Sequence, residues 1–107
     1  MLNTQILFLA MTRKMPPADA ELYKRVDEIA HYIWDPIGVR DIAQARDEYH
    51  GYLPGLYGRV KAGDLDQIID YMRWVVTENM GMSFDQSSAK NAARVMLDWK
   101  DKIEENM

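Results

Sequence analysis

The side chains best suited to acid–base or metal chemistry are the two histidines, His31 and His50, and the carboxylates Asp35, Asp47 and Glu48. Asp47 stands three residues before His50. Helical di-iron bundles use this carboxylate-x-x-His spacing to present two ligands on one helix face, but they need the motif twice, with Glu, plus two further inward carboxylates. The Asp47–His50 pair carries Asp where those sites carry Glu. There is no His-Glu-x-x-His zinc signature and no glycine-rich phosphate loop after a strand. The chain has no cysteine, which removes disulfides, thiolate metal sites and a cysteine nucleophile. Asp47 and Glu48 are neighbours, and neighbours on a helix point about 100° apart, so they cannot face one another as an acid/base pair. They read instead as first-turn acids that favour a helix dipole. His31 is expected to pair with Asp27 one turn earlier on a wet helix face. Ser83, Ser87 and Ser88 lack a nearby base and read as capping residues of a following helix. No nucleophile, base and oxyanion site assemble. The expectation is a protein that is not an enzyme, with no catalytic residues, no metal and no cofactor.

Aromatic residues carry the stronger signal. Tyr49, Tyr52 and Tyr57 fall on or near one face of a helical segment, with His50 and Arg59 beside it. Tyrosine and arginine are enriched at binding hot spots because they offer large contact area at low entropic cost. The expected partner-binding set is therefore Asp47, Glu48, Tyr49, Tyr52 and Tyr57. A tyrosine row can equally edge a core with its hydroxyls in water. Met80 and Met82, beside Gly81, read as adaptable contacts or as gap-filling core residues.

The elements that must position these groups are helical: four segments carry the 3.6-residue apolar period and none alternates with period two. The first, about Ala18 to Ile33, aligns Leu22, Val26, Ile29, Ala30 and Ile33 behind Pro16-Pro17, with Asp19 and Glu21 in its first turn. The second, about Ala45 to Ala62, aligns Tyr49, Tyr52, Leu53, Leu56, Tyr57 and Val60, but Gly51, Pro54, Gly55 and Gly58 weaken it. An internal proline costs about 3 kcal/mol, so a kink near Pro54, or a start one turn later than the pattern suggests, is expected. Gly63-Asp64 reads as a C-cap followed by an N-cap. The third segment, Leu65 to Asn79, aligns Leu65, Ile68, Ile69, Met72, Val75 and Val76 and is closed by Gly81. The fourth, after Asp85 to about Glu105, turns Ala89, Ala92, Ala93, Met96, Trp99 and Ile103 inward. Short linkers imply largely antiparallel neighbours. The expected fold is all-α, a compact bundle of four to five helices in one domain.

Between the first two segments lies Trp34-Asp35-Pro36-Ile37-Gly38. Asp35 can accept from nearby backbone N–H groups, Pro36 fixes its own φ, and Gly38 permits a positive φ. Trp34 and Ile37 add apolar surface. This is the signature of a rigid structural motif built on Trp34, Asp35, Pro36 and Gly38. The strings Ile33-Trp-Asp-Pro-Ile-Gly-Val39, Asp47-Glu-Tyr49 and Thr77-Glu-Asn-Met-Gly81 resemble the YugE-like family of small bacterial helical proteins, over roughly residues 22 to 82. The resemblance implies an all-α fold and a bacterial cytoplasmic setting, and carries over no catalytic residues. Departures from the family pattern are the apolar first ten residues and the glycines around Pro54.

Hydrophobic residues at 48% and charged residues at 28% are ordinary for a soluble globular chain. The formal net charge of −4, with no basic stripe, argues against nucleic acid and anionic membranes and favours a basic partner. The apolar run Ile6–Met11 is too short to span a bilayer and lacks the flanks of a secretory signal. It reads as an extra helix within residues 1–15 or as an extension upstream of a start at Met11. In size and charge the chain also resembles immunity proteins that neutralise antibacterial toxins. The resulting expectation is a cytoplasmic protein-binding module of that type, occluding a basic active site. The alternatives are a structural homodimer and a small metal-dependent enzyme using Asp35, Asp47, Glu48 and His50.

Overall fold

The computed structural model describes Leu9 and residues 12–106, so the expectation for the apolar opening run lies almost wholly outside the described residues. Among those described there is no strand, and the elements are helices packed as an all-α bundle. Helix α1 spans Pro17–Ile29, α2 Leu53–Ala62, α3 Leu65–Trp74 and α4 Gln86–Glu105. Short 3₁₀ turns at Ala43–Ala45 and His50–Tyr52 punctuate the long connector between α1 and α2. No described helix is long and apolar enough to cross a membrane.

The boundaries follow from local chemistry. Pro17 opens α1 at a position where its missing N–H is not needed. Gly63, at φ +78°, takes the left-handed conformation that ends α2, and its N–H closes on the carbonyls of Arg59 and Val60. Asp64 then caps α3 by accepting from the Gln67 N–H, and Asp85 caps α4 by accepting from the Ser88 N–H. The capping role near α4 thus belongs to the Asp85 carboxylate rather than to the serines.

Two sequence expectations are corrected here. The second helix does not begin near Ala45; it begins at Leu53, because Pro54 is tolerated only in a first turn, where no helical N–H is lost. Residues 45–52 form tight turns instead, so Asp47 and Glu48 are not first-turn acids of a helix. The first helix does reach Trp34, but its last turn, Ala30–Trp34, is π-helical, with the Asp35 N–H bonded to the Ala30 carbonyl at 3.0 Å. A π turn admits an extra residue and shifts the register of everything after it. Ile33, expected on the buried stripe, is therefore 37% exposed, and Trp34 takes the core position at 4%. Helix α3 ends in a second π turn, Val75–Asn79, closed by the Met80 N–H on the Val75 carbonyl.

The core joins Leu22, Val26 and Ile29 of α1, Leu53, Leu56 and Val60 of α2, Ile68 and Met72 of α3, and Met96 of α4. Helix α4 touches each of the other three. Its fully buried Ala89, Ala92 and Ala93 let neighbouring backbones approach closely. Trp99 and Ile103, expected inward, are only partly covered.

The π register generates a direct stability contrast. Ile29→Ala should cost about 2–5 kcal/mol and Ile33→Ala less than about 1 kcal/mol in urea unfolding. Equal costs would mean that α1 runs regularly through Ile33.

Candidate functional site

The connector from Asp35 to Tyr52 is held by two carboxylates. Asp35 sits at φ +37°, a left-handed conformation that aspartate tolerates better than most residues. Its Oδ1 accepts from the Gly38 N–H at 3.1 Å, the Val39 N–H at 2.8 Å and the Tyr49 hydroxyl at 2.7 Å. Its Oδ2 accepts from the Arg40 N–H at 3.0 Å and from Arg40 Nε at 3.1 Å. Gly38 is at φ +81°, which turns its N–H back toward the carboxylate. The Tyr49 oxygen in turn accepts from the Ile37 N–H at 3.0 Å. Burial acts to raise the Asp35 pKa, but the bonds from Tyr49, Val39 and Arg40 prevail and bring it from 3.8 to about 2. Burial and the facing carboxylate hold the Tyr49 hydroxyl well above its ordinary range. Trp34, Asp35 and Tyr49 are buried, Pro36 half-buried, and Ile37 and Gly38 exposed. The Trp-Asp-Pro-Ile-Gly segment and Tyr49 are one structural knot.

The second carboxylate is Asp27. Arg46 grips it with both guanidinium nitrogens, at 3.0 and 2.8 Å, and His50 Nε2 lies 3.1 Å from its Oδ1. Burial raises the Asp27 pKa, and the His50 and Arg46 contacts outweigh it to leave the pKa lowered. The Arg46 guanidinium also lies 5.3 Å from the Tyr32 ring centre. The expected His31–Asp27 pair is thus corrected: Asp27 is met by His50. His31 instead is buried, with Nε2 donating to the Arg40 carbonyl at 3.2 Å. Both residues face the connector, Asp27 toward Arg46 and His50 and His31 toward Arg40.

The expected contact set disperses. Tyr49 is buried at 2% exposure and cannot reach a partner in this arrangement. Tyr57 packs on Tyr23 with ring centres 5.2 Å apart, toward α1. Tyr52 is half-buried, and its hydroxyl accepts from Asn79 Nδ2 at 3.1 Å. Asp47 is half-buried and Glu48 exposed, both on the connector. Of Asp35, Asp47, Glu48 and His50, the first and last are engaged in separate knots. Among the described residues, no three His, Asp or Glu side chains are placed to hold a metal. Met80 packs against the core, whereas Met82 is exposed.

The surface that does assemble lies across α2 and α3. Trp74 is 50% exposed and stacks on Tyr71, with ring centres 6.0 Å apart and planes 24° from parallel. The Arg59 guanidinium lies 4.3 Å from the Tyr71 ring centre, steadied by an Nη1 bond to the Gly55 carbonyl at 3.0 Å. Gly55 makes this possible, because a Cβ there would fall 2.4 Å from the Tyr71 ring. Burial raises the Tyr71 pKa and nearby Tyr52 adds to it, while Arg59 opposes. Arg59, Gln67, Asp70, Tyr71 and Trp74 enclose a shallow depression of about 400 Å³. Asp66, Asp70 and Trp74 recur at four-residue spacing along the exposed side of α3. Neither Asp66 nor Asp70 has an ion-pair partner among the described residues.

Sequence reasoning singled out Tyr52 and Arg59, which border this surface, and passed over Tyr71 and Trp74. The signal was present, since a tryptophan on the polar stripe of an amphipathic helix, one turn after an aspartate, is out of pattern. No family model matches the chain, and comparison with curated proteins and with solved structures likewise finds no match.

The Asp35 knot has a pH signature. Its folded-state pKa lies below the unfolded value, so its contribution is complete above about pH 4 and is lost as pH falls through about 2. Tyr49→Phe should cost about 1–3 kcal/mol at neutral pH and shrink the acid-dependent loss of stability in that window. Urea midpoints across the pH range read both effects. An unchanged acid profile would detach Tyr49 from the Asp35 carboxylate.

Proposed function

We propose that this chain is a non-enzymatic protein-binding module that docks on a basic partner through the face formed by Tyr52, Arg59, Tyr71 and Trp74. The observation that carries the reading is the half-exposed Trp74, stacked on Tyr71 and backed by Arg59. Tryptophan, tyrosine and arginine are the residues most enriched at binding hot spots. A ring already fixed by packing loses little entropy on association.

The carboxylates bias the choice of partner. Asp66 and Asp70 line the same side of α3 as Trp74, and Glu78 is exposed in the π turn beyond it. The Arg59 charge is turned onto Tyr71 and the Gly55 carbonyl. Together with the net charge of −4, this favours encounter with a positively charged surface. In its most concrete form the module is immunity-type: it covers the basic active site of a toxin and neutralises it by occlusion. The histidines and buried carboxylates hold the scaffold in this reading and perform no reaction.

Trp74→Ala should weaken the complex captured from the native host by about 2 kcal/mol or more, measured by calorimetry at physiological salt. Asp70→Lys should slow association and reduce its salt dependence. Glu48→Ala, exposed but not among the residues of this face, should leave affinity within about 0.5 kcal/mol. If Trp74→Ala binds as tightly as the parent chain, the docking face lies elsewhere.

A further inference from the structure

Helix α4 carries a second exposed aromatic, Trp99, which the surface above does not use. The Arg25 guanidinium lies 4.5 Å from its ring centre, and Arg25 is itself held by Glu21 and Glu28. The indole is therefore fixed, yet remains 36% exposed. A hollow lies on each side of it. One, of about 320 Å³, is bounded by Pro17, Ala18 and Ile103; the other, of about 300 Å³, is bounded by Val95 and Asp98. Trp99 and Lys102 line both, so they form the ridge between two mainly apolar depressions.

A knob beside a hole on one surface is what an isologous contact requires, because a two-fold axis brings each knob to the other copy's hole. The charges on this ridge fit the same symmetry. Asp98 and Lys102 stand one turn apart, both exposed, and neither has an ion-pair partner among the described residues. If two copies of α4 lie antiparallel with the axis at the level of residue 100, position 98 of each faces position 102 of the other. Each aspartate then meets a lysine, twice.

We infer that this face is a self-association surface, on which a second copy of the chain packs antiparallel along α4. Each Trp99 then lies level with residue 101 of the other copy and enters the hollow bounded there by Ile103, while reciprocal Asp98–Lys102 pairs set the register. The surface is separate from the one assigned to the basic partner, so either can fail without the other.

The test is a charge-swap mixing experiment read by sedimentation equilibrium up to about 1 mM, the range in which weak contacts populate. The parent chain should dimerise. Asp98→Lys and Lys102→Asp should each place like charges opposite one another and weaken dimerisation at least about tenfold. An equimolar mixture of the two variants restores both pairs and should recover the dimer. Trp99→Ala should remove it, whereas Trp74→Ala should leave it unchanged. Circular dichroism establishes that each variant is folded. A parent chain that stays monomeric throughout overturns the inference. So does a dimer indifferent to the single swaps, or a mixture that stays monomeric.

Discussion

The structure depends on two buried carboxylates that hold a long connector with little helix of its own. From Asp35 to Tyr52 the chain offers only short 3₁₀ turns, and such a segment loses conformational entropy on ordering without a helical ladder to offset it. Asp35 collects three backbone N–H groups, a tyrosine hydroxyl and an arginine Nε, so the buried charge is satisfied on both oxygens. Asp27 does the same at the other end of the connector through Arg46 and His50. A buried carboxylate is tolerated only when bonded in this way, so each knot specifies one arrangement and disfavours others.

This arrangement accounts for the fate of the side chains best suited to chemistry. Asp27 with His50, and Asp35 with Tyr49, pair in two separate knots along the connector, and their hydrogen-bonding capacity goes into holding it. The exposed aromatic surfaces arise where the helices pack directly. Gly55 leaves room for Tyr71 to lie against α2, which carries Arg59 onto its ring and supports Trp74 from beneath. Between α1 and α4, Arg25 steadies Trp99 in the same manner. In both cases a guanidinium and a ring form a firm ledge, and firmness is what lowers the entropic cost of docking.

Much of the fold was legible because it rests on local rules. The apolar stripes of α3 and α4, the Gly63-Asp64 cap pair and the Asp35 turn all depend on neighbours within a few residues. The departures at Tyr49 and Ile33 share one cause. Tyr49 was aligned with Tyr52 and Tyr57 on a helix that does not start until Leu53, and Ile33 was aligned with Ile29 across a turn that is not α-helical. Periodicity assumes a constant rotation per residue, and a π turn or a 3₁₀ turn breaks that assumption without an obvious mark in composition.

By itself, then, the amino-acid order determined the helical class, the caps, the core stripes and the rigid turn at Asp35, because each is decided by short-range sterics, backbone hydrogen bonding or apolar period. Tertiary structure alone decided which histidine meets Asp27 and which tyrosine is buried. Those outcomes depend on contacts between residues far apart in the chain, such as His50 with Asp27 and Gly55 with Tyr71. No local window contains both partners, so their pairing emerges only once the helices have packed.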